Sequence, residues 1–192
     1  MDEWVLESQR PVYDGWLKIS RRTYVLPDGR RSDWDVLTGG HTVAVVARTT
    51  DGRFVLARQF RAGPGRLLLE VPGGHVDPGE DVVEAGVREL LEETGYKPGA
   101  TTYLGSTWLA ANFQIQRHFV FADGCRWVTE PDPGPEEFTE VVLLGEAEFV
   151  EHVRGGQLTD QDCGYRALDY LGLLEANQPP CRDTPSASKA AE

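Results

Sequence analysis

Positive charge is what this chain has least of. Nineteen Lys and Arg stand against 31 Asp and Glu, a formal net charge of −12 over 192 residues. Gripping phosphate backbones takes an excess of Lys and Arg, so a general nucleic-acid surface is excluded. A small phosphorylated ligand is not, since it needs only a local positive cluster or a metal held by carboxylates. Cysteine is scarce as well. Cys125, Cys163 and Cys181 are odd in number, widely spaced and free of any CxxC pair. They suggest neither a disulfide framework nor a zinc site, and read as bystander thiols. No apolar run approaches the ~18 residues needed to span a bilayer. Met1-Asp2-Glu3-Trp4 has neither the basic region nor the apolar run of a signal peptide. No membrane association and a cytoplasmic location are therefore expected.

The residues that are present belong to a globular chain, with 40% hydrophobic and 26% charged side chains. The segment from Trp4 to Leu37 is short, mixed and turn-punctuated, with Pro27-Asp28-Gly29 before Arg30-Arg31. It reads as antiparallel hairpin material. His41 to Arg48 (HTVAVVAR) is nearly continuous and β-branched, the pattern of a strand buried on both faces. Asp51-Gly52 marks a hairpin, and Arg53 to Phe60 returns as its partner. Further strands are expected at 101–108, 117–122 and 140–144, and helices at 146–154 and 160–175. Pro131 to Pro135 reads as an exposed loop, and the Pro- and Ser-rich tail from Asn177 as disordered.

The clearest helix opens at Asp77-Pro78-Gly79-Glu80 and closes at Gly95. Val83, Val87, Leu90 and Thr94 recur at helical spacing, with Leu91 beside them, and predict the core-facing side. Glu89 and Glu93, four apart, fall together on another side, with Glu92 between them and Arg88. Two such carboxylates repel each other on a bare helix. A divalent cation between them reverses that sign, and Mg²⁺ takes hard oxygen ligands while keeping waters and phosphate oxygens in its shell. Gly86, one turn earlier on nearly the same face, leaves room for a ligand to approach. A solvated acidic face is the plainer alternative. Gly73-Gly74, just before the helix, adds a backbone carbonyl as a further ligand, and Glu80 with Arg88 frames the set as an ion pair.

Gly74, Glu80, Arg88, Glu89, Leu90, Glu92, Glu93, Gly95 and Tyr96 resemble the Nudix box without departure from its pattern. Arg58-Gln59-Phe60-Arg61 and Leu69-Glu70-Val71-Pro72-Gly73-Gly74 resemble the ADP-ribose pyrophosphatase branch of that family, and the likeness runs from about Tyr13 to Leu174. The resemblance implies an α/β fold, the Nudix α/β/α sandwich with a mixed sheet and an N-terminal antiparallel β extension. It divides the chain into a β segment at 1–39 that serves dimerisation, a Nudix hydrolase domain at 40–176 and a tail at 177–192. It implies Mg²⁺, with Mn²⁺ as a substitute, held by Glu89 and Glu93, with Glu92 assisting and the Gly73 carbonyl completing the shell. The catalytic set it implies holds Glu92, Arg88 as a brace rather than a reacting group, and an acid outside the box. That acid is Glu137, with Glu136 and then Glu140 as alternatives; all three also read as solvated loop acids.

Substrate contacts implied by the same resemblance are Arg61 first and Arg58 second for the phosphates. Glu70 is the candidate for a ribose or base, and Trp16 for stacking on the base, with Tyr13 and Trp34 as substitutes. Strand alternation places Arg53 and Arg61 on one face and Arg58 on the other, so they cannot all serve one site. The implied activity is hydrolysis of a pyrophosphate bond in a nucleoside diphosphate linked to another group, with an ADP-ribose-like small nucleotide favoured. A homodimer with exchanged N-terminal β segments follows from the same likeness. Two departures stand out: the stretch Thr107 to Phe113 lacks a proline usual in ADP-ribose hydrolases, and Trp34-Asp35-Val36-Leu37 stands where an arginine is usual. They leave an NDP-sugar of the GDP-mannose type as the alternative substrate, and a catalytically silent nucleotide-sugar-binding module as the alternative role.

Overall fold

A computed structural model describes residues 2–134 and 138–174, and its architecture grows from one long strand. β3 (Arg31–Thr49) joins what the sequence pattern reads as two pieces. Its first half pairs antiparallel with β2 (Lys18–Val25), which pairs antiparallel with β1 (Val5–Asp14). Its second half enters the core, beside β6 (Gly73–Val76) on one side and, in parallel, β9 (Phe113–Trp127) on the other. The register of the parallel pair shifts between Thr38 and His41, at Gly39-Gly40. A Cβ on Gly39 would come within 2.5 Å of the Ile115 side chain, which is why a glycine sits at 39 in this irregularity.

The hairpin expected at Asp51-Gly52 is present, with Gly52 at φ 85° and β4 (Phe54–Arg61) as the returning strand. β4 also pairs with β5 (Arg66–Glu70) and β10 (Glu140–Leu144). β8 (Ala100–Trp108) flanks β9 antiparallel, and the short β7 (Tyr96–Lys97) caps its far end. The mixed sheet is thus buried at its centre and frays into the exposed β1–β2–β3 extension, where every residue of β1 is exposed.

Alternation along β3 builds two separate cores. Val43, Val45 and Ala47 join Val55, Val120, Ala85 and Leu90 beneath α1 (Val82–Thr94). Ala44 and Val46 join Phe54, Phe119, Phe149, Val153 and Leu168 beneath α2 (Glu146–Arg154) and α3 (Gln161–Tyr170). A strand buried on both faces reads as a continuous apolar run for this reason. Phe54 and Phe149 stack with ring centroids 4.1 Å apart. Each fully buried Leu or Phe contributes roughly 1.5–3 kcal/mol by transfer from water. The result is the α/β sandwich expected. No helix among the described residues is long and apolar enough to cross a membrane.

Two element readings are corrected. The first helix starts at Val82, not near Asp77, because Asp81 is its N-cap and accepts from the amides of Val83 and Glu84. Residues 77–80 form the turn before it, closed by Glu80 N to Asp77 O at 3.0 Å. Its last turn ends as expected at Gly95, φ 73°, where a Cβ would strike the Thr129 carbonyl at 1.9 Å. α3 ends at Tyr170 rather than 175, with Gly172 at φ 70° after it. Cys125 and Cys163 are buried free thiols whose pKa values burial pushes up, Cys125 to about 11, so both are inert packing groups. Cys181 and the tail lie outside the described residues.

Candidate active site

The helix buries Leu90 and Thr94 as its apolar pattern predicts, but its buried face extends further. Ala85, Gly86, Leu90, Glu93 and Thr94 are its buried positions, whereas Val83 and Val87 are only partly covered. The reason is size. A Cβ on Gly86 would lie 3.0–3.6 Å from Val45, Val43 and Val120, so the small pair Ala85-Gly86 lets the helix sink onto the sheet. Gly86 therefore serves helix–sheet contact, and does not open the helix to a ligand as the sequence suggested. The same rotation carries Glu93 to the protein side, where only 4% of it is exposed.

Glu93 is the buried carboxylate of the helix. Its Oε2 accepts a long 3.3 Å bond from the Gly73 amide. Burial, with repulsion from Glu89 adding to it, pushes its pKa up to about 8; Gln59, Arg61 and the Gly73 amide pull the other way. Gln59 is buried beside it but its Nε2 has no well-formed hydrogen bond. One turn earlier, Glu89 lies over Gly74: a Cβ there would be 2.4 Å from Glu89 Oε1. Gly74 is thus a cradle that any larger residue would fill.

Arg88 organises the other side of the helix. Its guanidinium donates from Nε and Nη2 to both oxygens of Glu80 at 2.9 and 3.0 Å. It also donates to the His75 carbonyl at 3.0 Å, to Glu89 at 2.9 Å and to Glu92 at 3.2 Å. Its hydrogen bonds, with the Asp77 amide, pull Glu80 down to about 2 and raise Arg88 further. These bonds tie helix, preceding turn and β6 together, which is the geometry of a brace.

The four arginines of β4 and its flanks separate cleanly. Arg53 pairs with Asp51, Arg58 with Glu140 at 2.9 Å, and Arg66 with Gln157. Arg61 alone joins the site: it lies 3.4 Å from Glu70 and acts electrostatically on Glu93. Glu70 itself has no exposed side-chain surface, and its Oε2 accepts from the amide and hydroxyl of Thr159. The carboxylate is enclosed and turned toward Thr159 and Arg61. Trp16 is 87% exposed at the β1–β2 turn, its ring edge-on to His75 at 6.4 Å, one residue from Gly74. Trp34 instead packs against Trp4 at 5.8 Å, and Tyr13 is exposed. Glu140 is occupied by Arg58; Glu136 and Glu137 lie outside the described residues.

Sequence reasoning missed Gln59, Thr159 and a polar chain under the sheet end, in which His41 Nδ1 meets His118 Nε2 at 2.8 Å and Tyr103 Oη meets His118 Nδ1 at 2.8 Å. A buried polar residue inside an apolar strand, as Gln59 is, was the available signal. A cavity of about 570 Å³ lies between the N-terminal sheet and the β8–β9 turn, lined among others by Arg22, Tyr24, Trp108, Asn112, Phe113 and Gln114.

Among the described residues no three His, Cys, Asp or Glu side chains converge as a ready ligand cluster. Glu89 and Glu93 offer two, and the donor set is all oxygen, which suits a hard divalent cation that fills its shell with water and substrate oxygens. The buried, uncompensated Glu93 and the Gly74 cradle fit such an ion.

An α/β/α sandwich with an acidic helix following a glycine pair defines a recognisable class. Residues 39–160 match the model of the NUDIX domain, and the chain belongs to the Nudix family and is a Nudix hydrolase. It is 30% identical over 155 residues to the ADP-ribose pyrophosphatase of Bacillus subtilis (strain 168), covering 80% of this chain and 83% of that protein. It is 28% identical to the ADP-sugar pyrophosphatase of Mus musculus, covering 73% and 72%. It is also 29% identical to the CMP-5'-(N-acetyl-N-hydroxy-3-aminopropyl)phosphonate hydrolase of Streptomyces rubellomurinus (strain ATCC 31215), covering 92% and 86%. In fold it is similar to a crystal structure of an ADP compounds hydrolase, at a TM-score of 0.76 and 20% identity, covering 91% of this chain and 98% of that one.

Proposed function

We propose that this enzyme hydrolyses the pyrophosphate bond of a nucleoside diphosphate linked to a sugar, ADP-ribose before other substrates, with Mg²⁺ as its cofactor. The products are a nucleoside monophosphate and a phosphorylated sugar. The observation that carries this reading is the buried Glu93, short of positive charge, facing Arg61 and next to Glu89 on its glycine cradle. Glu89, Glu93 and the Gly73 carbonyl hold the ion, with Glu92 at its margin. When bound, Mg²⁺ neutralises the diphosphate and lowers the pKa of an attacking water. Arg61 draws the phosphates onto the helix and fixes their orientation. Water oxygen forms a bond to one phosphorus, the bridging P–O bond breaks with its oxygen leaving on the other phosphate, and the water's proton passes to the ionised carboxylate of an acidic residue outside the box. Glu137 is the first candidate for that acid and Glu136 the second. Arg88 keeps the carboxylates in register and takes no part in bond changes.

The ADP-ribose and ADP-sugar pyrophosphatase activities of the Bacillus and mouse relatives support the ADP-linked substrate. The absence of proline from Thr107 to Phe113 favours a second reading, an NDP-sugar of the GDP-mannose type, whose sugar or base would enter the cavity beside Trp108 and Asn112. A phosphate-release assay with Mg²⁺ over ADP-ribose, GDP-mannose, UDP-glucose and a CMP-linked phosphonate separates the two. ADP-ribose is expected to give the highest kcat/KM; a higher value for GDP-mannose would install the second reading, and no turnover with Mg²⁺ or Mn²⁺ would remove both. The exposed β1–β2–β3 extension, which carries Trp4, Tyr13, Trp16 and Trp34 at its surface, supports a homodimer through this segment. Sedimentation at micromolar concentration is expected to give twice the chain mass; a monomer would refute it.

A further inference from the structure

Glu70 is an unusual residue to find without any contact to water. It ends β5, three positions before Gly73, and is fully buried. A buried carboxylate persists only where partners compensate it. Here Oε2 is saturated by Thr159, whose amide donates at 2.8 Å and hydroxyl at 3.2 Å. Oε1 is not: it faces Arg61 Nε at 3.4 Å, and neither of these two buried atoms makes a hydrogen bond. A pair built for stability alone would close that contact, because a half-made buried ion pair is a poor source of stability. Arg61 keeps 30% of its side chain exposed. Its guanidinium therefore has a covered side toward Glu70 and an open side, and it lies close enough to Glu93 to act on it electrostatically.

The anchoring continues behind Glu70. Thr159 precedes Asp160, whose buried carboxylate pairs with Arg117 Nε at 3.0 Å. Arg117 Nη1 also donates to the Thr159 carbonyl at 3.3 Å. The turn between α2 and α3 is thereby pinned to β9 on one side and to Glu70 on the other.

We propose that Glu70 is a positioning residue: held by Thr159, it steers the Arg61 guanidinium toward the diphosphate and makes the α2–α3 turn part of substrate binding. This rests on the reading of Arg61 as a phosphate contact given above. Charge and hydrogen bonding divide the labour. Thr159 fixes where the carboxylate stands, and the carboxylate fixes which way the planar fork of Arg61 points. The loose Nε contact leaves the arginine free to tighten once a phosphate engages its outer nitrogens.

The test is steady-state kinetics of ADP-ribose hydrolysis with Mg²⁺ in Glu70→Gln, Arg61→Ala, the double variant and Thr159→Val, each with a thermal melt. Glu70→Gln is expected to raise KM about tenfold with kcat within about threefold, the pattern of lost binding rather than lost chemistry. The double variant is expected to match Arg61→Ala alone, since steering has no effect without the arginine. Thr159→Val, which removes only the hydroxyl bond, is expected to raise KM about twofold to threefold and keeps the test open if Glu70→Gln fails to fold. A raised KM in Arg61→Ala beside a wild-type KM in Glu70→Gln, or in Thr159→Val where Glu70→Gln does not fold, overturns the positioning role alone. So does additivity in the double variant. A wild-type KM in Arg61→Ala instead removes the phosphate contact, and this inference with it.

Discussion

Two carboxylates tied to the same helix sit at opposite ends of the electrostatic range. Glu80 is gripped at both oxygens by Arg88 and is drawn down to about 2. Glu93, five residues beyond that arginine, is enclosed, lacks a comparable partner and is pushed up to about 8. The first centre is complete as it stands and its effect is on the fold. The second is incomplete until positive charge arrives, and incompleteness of that kind marks a site that works on something other than itself. One helix thus separates what keeps it in place from what it does.

The sharpest way to break this contrast is Glu93→Gln. Turnover is expected to fall by about a thousandfold, with the melting temperature equal to or above wild type, because Gln keeps the shape and cannot take on a charge in that buried position. Wild-type rates in steady-state assays would dissolve the distinction. Arg88→Ala attacks the other centre. It leaves Glu80, Glu89 and Glu92 facing one another, and is expected to cost about 2 kcal/mol in urea unfolding, given that Arg88 is partly exposed. Its kinetic loss should be smaller than that of Glu93→Gln.

Titration sharpens the contrast further. A carboxyl whose folded pKa lies above its ordinary 4.5 favours the fold fully below pH 4.5, and loses that contribution as pH rises through about 8. Metal-free protein is therefore expected to lose melting temperature between pH 5 and 8, and Glu93→Gln to flatten that slope. Equal slopes in the two proteins would show that Glu93 is not the source. The smallest effect is expected from Glu80→Gln. Glu80 favours the fold above pH 4.5 and loses that contribution as pH falls toward 2. Since Arg88 retains Glu89, Glu92 and the His75 carbonyl, this variant should melt slightly below wild type at neutral pH, with kcat within about twofold.

Much of this was legible in residue order. The spacing from Gly74 to Tyr96 defined the helix and its acidic set, and the run HTVAVVAR announced the doubly buried strand. What escaped was what depends on neighbours far away in the chain. Periodicity centred the buried face on Val83, Val87 and Leu90, but the bulk of Val43, Val45 and Val120 selects the narrowest ridge of the helix, at Ala85-Gly86. Glu93 is buried as a by-product of that selection. Glu70 stands within the stretch that carries the family resemblance; its partner Thr159 lies in a segment with no motif at all. Arg58 and Arg61 have the same chemistry three residues apart, and only the pairing of β4 with β10 shows that Glu140 takes one of them.

The pairing of β3 with β9 also shapes how the molecule comes into being. Val45 lies beside Val120 in the middle of the sheet, so the central contact waits for a long stretch of chain to be made and brought back. Parallel, non-local pairing of this kind forms slowly. Until then the core half of β3 has only neighbours made earlier, its hairpin with β4 turned at Asp51-Gly52, β6 and α1, for shelter. The apolar core half of β3 leaves the ribosome well before the strand that covers its edge, so synthesis at low temperature or with a holding chaperone is expected to raise soluble yield more than it alters stability.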